Sequence, residues 1–485
     1  MNTSFRIGFL LLVAISATAS PRLNVLFIAA DDLRPQLKCY GHEQMITPHL
    51  DALAASGMLF ERAYCSAPTC RASRLAVMTG LRPETTKITT NGGAPFRKRL
   101  PNHVTVSQLF MNNGWHAQSL GKIFHGAFAV RGQWNDPKSW SVPAWWPGPR
   151  YYYTEPGIKA AKEVFARSRQ GKGKPVDEWV NHFVLGPSWE APDVADNVLY
   201  AGLLADKTIA TLNQIKDEPF FLAVGFLKPH LPFIAPKKYW DMYPADEVVV
   251  ADNQHAPKDS PPLAMSNWGH PRSYTDIPNQ GPMPKPLVAK LTRGYAACVT
   301  YVDAQVGRIL KELDRLGLRD NTIIVFWGDH GFHLGENGIW GKATNFELSL
   351  RVPLIISAPD MKARGGHTSA LVELIDLYPT LAELAGLTPP KNLAGRSMAP
   401  LLHDPTQEWK PAAFSQYPHS GVMGRTMRTE RWRFTEWKKG SKLATTELYD
   451  LENDPAGNVN VAGHPQHADT VVQLRQQLAR SWNKP

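Results

Sequence analysis

Three short segments carry residue types that could do chemistry together. Asp31-Asp32 and Asp329-His330 each follow a strongly apolar run, and Cys70-Arg71-Ala72-Ser73-Arg74 opens a helical pattern. Adjacent carboxylates at a strand end repel each other unless a cation sits between them. One such pair alone reads as a turn or a helix cap, but two acidic pairs, each directly after an apolar strand, point to a metal. An oxygen-rich set with one imidazole suits calcium or magnesium better than zinc. Cys70 follows the loop 66–69 and precedes helical 75–80, so it is predicted at a helix N-terminus, where backbone amides favour an anion. Arg71 and Arg74 strengthen that bias. The plain alternative is a buried cysteine flanked by surface arginines.

The elements that must position these residues alternate in type. Residues 24–29, 220–226, 322–327 and 352–357 are continuous apolar runs, each predicted as a strand buried on both faces. Thr47-Pro48 opens a helix, with Thr47 as N-cap, Leu50, Leu53 and Ala54 on one face and Gly57 just past its end. Residues 105–113 repeat that grammar, and a long helix runs from Pro286 to Gly317. Strand–helix alternation predicts an α/β fold with a largely parallel sheet between helices. Ligands of such sheets sit at the carboxyl ends of the strands, where Asp31-Asp32, Lys228-Pro229-His230 and Gly328-Asp329-His330-Gly331 fall. Residues 126–192 and 256–286 are predicted as long loops. The aromatics of the first, Trp134, Trp140, Trp145, Trp146, Tyr151, Tyr152 and Tyr153, are read as packing it onto the core rather than as a sugar platform. Beyond about Asp404 the pattern changes to short alternating strands, 429–436 and 447–451, and a last helix, 468–482. The expected organisation is a leader at 1–19, a main domain at 22–405 and a smaller C-terminal antiparallel subdomain with a helix at 406–485.

The chain has 485 residues, 43% hydrophobic and 20% charged, which excludes disorder, coiled coil and collagen-like architectures as the main organisation. Its 53 Lys+Arg against 43 Asp+Glu leave a net charge of +10, which fits an acidic partner, nucleic acid or a sulfated or carboxylated polysaccharide. Arg6, the apolar run 7–15 and Ala17-Thr18-Ala19 form a secretory signal peptide with cleavage expected after Ala19; the run is too short to span a bilayer. The mature chain is therefore expected to be exported, periplasmic or secreted, with no membrane span. The four cysteines, Cys39, Cys65, Cys70 and Cys298, could form two disulfides in such a compartment. They are too few to be a scaffold and read more simply as small buried hydrophobes.

Cys70-Arg71-Ala72-Ser73-Arg74, followed by Leu81-Arg82-Pro83, resembles the signature of the type I sulfatases of the alkaline phosphatase superfamily. Ala30-Asp31-Asp32-Leu33, Thr47-Pro48-His49-Leu50-Asp51, Gly121-Lys122-Ile123-Phe124-His125, Lys228-Pro229-His230, Gly328-Asp329-His330-Gly331 and Trp340-Gly341-Lys342 resemble further family segments in the same order. The spacing is most similar to the iduronate-2-sulfatase branch. The resemblance implies an alkaline-phosphatase-like fold: a large mixed, mostly parallel sheet flanked by helices, then the smaller antiparallel α+β subdomain. It implies that a modifying enzyme oxidises Cys70 to formylglycine, whose hydrate attacks sulfur with one hydroxyl and expels sulfate by losing the proton of the other. It implies that Asp31, Asp32, Asp329, His330 and residue 70 hold Ca2+, with Mg2+ as the alternative. Arg74 would polarise the sulfate, Lys122 and Lys342 would clamp its oxygens, His125 would take the proton of the collapsing diol, and His230 would serve the leaving oxygen. His333 is a further candidate for substrate contact. The implied partner is a sulfated, uronic-acid-containing saccharide such as a glycosaminoglycan, and not nucleic acid. A phosphatase or phosphodiesterase on the same fold would use Ser or Thr where Cys70 stands, and a non-catalytic glycan-binding relative would not need the whole set. Arg71, between Cys70 and Ala72, is a bulky cation beside the nucleophile.

Overall fold

The computed structural model describes residues 22–125, 135–148, 152–169, 171–181 and 184–482. The expected leader, Trp134 and Tyr151 lie outside the described residues. An eight-stranded sheet organises the larger part of the molecule. Strands Thr322–Gly328, Asn24–Asp31, Phe220–Pro229 and His116–Gly121 lie side by side and run parallel, as the apolar runs require. Beyond Thr322–Gly328 the sheet turns mixed. Leu354–Ser357 pairs antiparallel with it and with Met58–Tyr64, and Gly366–Glu373 joins Met58–Tyr64 in parallel.

Alternation along one strand explains the layers. Leu26, Ile28 and Ala30 face one apolar layer, while Val25, Phe27 and Ala29 face the other. The first layer receives the long helix Lys285–Arg315 through Leu291, Tyr295, Val302, Val306 and Ile309. The second receives the helix Cys70–Thr79, which is buried throughout. The chain then passes to a four-stranded antiparallel meander, Ala413–His419, Val422–Arg428, Trp432–Lys439 and Lys442–Asp450. The final helix, Ala468–Ser481, packs Leu474 and Leu478 onto Phe414, Met427 and Phe434.

Three sequence expectations need correction. The run 352–357 is two short strands broken at Pro353, and both pair antiparallel. The stretch 126–192 is not all loop: Glu155–Arg167 is a helix, with Thr154 Oγ1 accepting from Gly157 N. Its buried side is only Gly157, Ala161 and Phe165, a stripe too narrow to stand out among flanking aromatics. Thr47 does not cap the helix Pro48–Ser56. Asp303 of the long helix does so instead, accepting from Leu50 N at 2.7 Å and His49 N at 3.3 Å. The simpler reading of the cysteines agrees with the structure: all four are free, with Cys65, Cys70 and Cys298 buried and Cys39 half-buried. Among the described residues no helix is long and apolar enough to cross a membrane. The described aromatics of the first loop stretch do pack inward, with Trp140 and Tyr152 buried and Trp146 set against Tyr200 at 4.8 Å between ring centroids.

Candidate active site

The four parallel strands end together, and each delivers polar side chains at its carboxyl end. Asn24–Asp31 delivers Asp31 and Asp32, Thr322–Gly328 delivers Asp329 and His330, Phe220–Pro229 delivers Lys228 and His230, and His116–Gly121 delivers Lys122. The ladder shifts register between Ala30 and Asp31, and Asp32 takes φ +62°, so both carboxylates leave the sheet plane at one place. Tyr295 Oη donates to Asp32 O at 2.9 Å, and Asp32 N donates to Asp329 Oδ1 at 3.1 Å. A Cβ on Gly225 would collide with the Lys122 backbone, whose N–H donates to Gly225 O at 2.8 Å; only glycine admits this approach.

Cys70 comes to the same point from the first residue of its helix. Its Sγ lies 3.2 Å from His330 Nε2 and 3.3 Å from Lys342 Nζ. Single ligand atoms of Asp31, Cys70, Asp329 and His330 fall within 4.8 Å of one another, as do those of Asp31, Asp32, Cys70 and His230. Arg74, fully buried, donates from Nε to Asp329 Oδ2 at 2.8 Å and lies 3.4 Å from Asp31 Oδ1. Lys122 Nζ donates to Asp31 Oδ2, and Lys342 Nζ to Asp32 Oδ1. Asp32 Oδ2 is buried and has no hydrogen-bond partner among the described residues.

The electrostatics favour an anion at residue 70. Burial alone would raise the Cys70 thiol and Asp31 raises it further, yet Lys122, Lys342 and His330 outweigh them and bring it down to about 6. Burial together with Asp31 pushes Asp32 up to about 7 despite Lys342. Three buried carboxylates converge here, one with an orphaned oxygen. His330 Nδ1 lies 3.0 Å from Gly331 O, which leaves Nε2 to face the cluster as a ligand. By donor type and by that orphaned oxygen, these residues fit a hard divalent cation.

The remaining expectations divide. His230 is buried in the cluster, its Nδ1 2.5 Å from Leu231 O, and burial with Lys342 drives its pKa well below the ordinary histidine value. His125 feels the charges of Lys122 and Asp31 but lines a recess with Arg71 and Asp136; its buried Nδ1 has no hydrogen-bond partner among the described residues. His333 is not brought to the cluster. It is fully buried, Nδ1 3.2 Å from Glu336 O and Nε2 3.4 Å from Thr344 Oγ1, with its ring edge-on to Phe346. A cavity of about 380 Å3 opens beside Lys342, lined among others by Asn91, Trp268, His270, Tyr417 and His419. His270 is a site residue that sequence reasoning missed. Its ring centroid is 5.2 Å from that of His230, and burial with Lys342 and Lys122 lowers it to about 3. It comes from the aperiodic stretch 256–286, which carries no pattern that would single it out.

Residues 23–387 match the family model described as Sulfatase, and residues 335–484 match N-sulphoglucosamine sulphohydrolase, C-terminal. The chain is 32% identical to iduronate 2-sulfatase of Mus musculus, covering 94% of each chain. It is similar in structure to a protein solved in complex with its substrate D-glucosamine-2-N,6-O-disulfate (TM-score 0.75, 21% identity, 95% of this chain and 97% of that one). It is also similar to a phosphonate monoester hydrolase from Silicibacter pomeroyi (TM-score 0.73, 24% identity, 95% of each chain).

Proposed function

Since the chain belongs to the sulfatase family and is a sulfuric ester hydrolase, we propose that it removes O-sulfate from a uronic-acid-containing saccharide, using residue 70 as formylglycine. The observation that carries this reading is the position of Cys70 Sγ, which stands in for the formylglycine oxygen: within 3.3 Å of both Lys342 Nζ and His330 Nε2, at the edge of three buried carboxylates. Asp31, Asp32, Asp329 and His330 would hold the cation, Ca2+ before Mg2+ for an oxygen-rich set. When bound, that ion supplies Lewis-acid polarisation of a sulfate oxygen. Oxidation of Cys70 by a modifying enzyme supplies the gem-diol nucleophile.

The chain's own residues do the rest. Arg74 is held rigidly between Asp31 and Asp329, so its charge is oriented before substrate arrives. Lys342 and Lys122 border residue 70 and the carboxylates, where they attract the sulfate and balance its charge. His230 is neutral in the free enzyme because burial and two lysines oppose its protonation. A bound sulfate offsets those lysines and raises the histidine's proton affinity, which equips it to protonate the leaving oxygen. His125, whose buried Nδ1 has no partner among the described residues, accepts a proton from residue 70. The cavity beside Lys342 receives the saccharide. The leader-like 1–19 directs export, and 22–405 and 406–485 form the catalytic domain and its subdomain.

Two measurements test the reading together. The mass of the residue-70 peptide should show conversion of the thiol to the aldehyde or its hydrate. Turnover of an aryl sulfate should exceed that of the matching aryl phosphate or phosphonate. A faster phosphate or phosphonate ester, or an unmodified but active Cys70, overturns it.

A further inference from the structure

Arg71 has no part in the chemistry above, yet it is buried on the first turn of the helix that carries Cys70. Burial lowers its pKa to about 10, so it is a cation at neutral pH. Its guanidinium gathers three successive carbonyls. Nη1 donates to Gly92 O and, at 2.8 Å, to Gly93 O, and Nη2 donates to Ala94 O at 2.6 Å. Its backbone N–H donates to Asn91 Oδ1 at 3.0 Å. The carbonyls can converge because Gly93 takes φ +98°, a conformation that residues with a Cβ rarely adopt. Residues 91–95 are exposed, so little packing of their own holds them. Thr90 and Asn91, at the head of this segment, line the cavity beside Lys342.

We infer that Arg71 is a positioning residue for saccharide selectivity: it straps segment 90–94 against the nucleophile helix as one wall of the substrate cavity. The inference rests on the sulfatase reading above. A planar fork of five donors suits three carbonyls in a fixed arrangement, whereas a lysine offers one compact charge on a flexible stem. With Oδ1 committed to the Arg71 backbone, the Asn91 NδH2 group is the end left to donate to a saccharide oxygen. A small aryl sulfate fills the sulfate end of the site and makes little use of this wall.

The test compares Arg71→Lys, Asn91→Ala and the double variant with the parent on two substrates, a sulfated uronate-containing disaccharide and an aryl sulfate. The mass of the residue-70 peptide first establishes equal oxidation in all four proteins. Each single variant should raise KM for the disaccharide about tenfold with little change in kcat, so the ratio of kcat/KM between disaccharide and aryl sulfate falls about tenfold. The double variant should be no worse than the weaker single, since both act through one segment. Equal losses on the two substrates, or an unchanged disaccharide KM in fully oxidised protein, overturn the inference. A parent enzyme that cleaves neither sulfate sinks the sulfatase reading, and this inference with it.

Discussion

Among the described residues, two buried clusters of Arg, Lys and carboxylates behave in opposite ways. At the carboxyl ends of the strands, Arg74, Lys122 and Lys342 surround Asp31, Asp32 and Asp329. Where the large sheet meets the C-terminal meander, Arg82 and Lys410 surround Glu373 and Asp376. The second cluster is closed. Arg82 grips Glu373 with two bonds of 2.7 and 3.1 Å, Lys410 reaches both carboxylates, and the N–H groups of Arg396, Phe414 and Glu373 take further oxygen positions. Two positive charges meet two negative ones, and every carboxylate oxygen has a partner. The first cluster leaves Asp32 Oδ2 orphaned and sets two lysines beside a nucleophile. A satisfied buried network ties two parts of a fold together, while an unsatisfied one keeps free energy in reserve for a ligand.

The contrast can be broken most forcefully at residue 70. Cys70→Ala should lower turnover by about 10⁴-fold or more while leaving the melting temperature near that of the parent, measured by steady-state rates and calorimetry. Retained turnover would show that the open cluster is not the reactive one. Next, calcium should raise the melting temperature of the parent but not that of Asp32→Asn. Calcium at a hundred times its Kd would stabilise the parent by about 2.7 kcal/mol. Equal shifts in both proteins would place the ion elsewhere.

The closed cluster should answer differently. Arg82→Ala leaves two buried carboxylates to one cation, Lys410, and should cost about 3–5 kcal/mol in denaturant unfolding. The folded fraction should keep the parental kcat. Its pH response is milder. Burial alone would raise Glu373, but Arg82 and Lys410 hold it down at about 2, against 4.5 when unfolded. A depressed carboxylate stabilises the fold above its unfolded pKa and loses that contribution as pH falls from 4.5 towards 2. Glu373→Gln should therefore flatten the acid limb of stability against pH over that window; an unchanged limb would remove Glu373 from the ion-pair account.

Much of the open cluster is legible in the sequence because buried parallel strands have a simple signature. An apolar run must end where the chain leaves the sheet, so the polar residues after 24–29, 220–226 and 322–327 had to lie at one edge. The helix start at Cys70 is legible for a similar reason, since a loop gives way to a periodic pattern there. Asp303 as a cap, Arg71 as a strap and His270 as a cavity residue are not legible. Each acts on a segment far along the chain, and local patterning carries no trace of that partner. His333 shows the reverse error: closeness in sequence to Asp329-His330 suggested a site residue, but the turn after His330 carries it into the core against Phe346.

By itself the sequence determined which side chains stand at strand and helix ends, and hence the kind of chemistry on offer, because local periodicity and burial fix those ends. Only the tertiary structure decided which charges cancel and which stay open. Asp32 meets Asp329 across 297 residues of chain and Arg74 meets it across 255. Coulomb and hydrogen-bond energies depend on separations of a few ångströms in space, which only the folded chain sets.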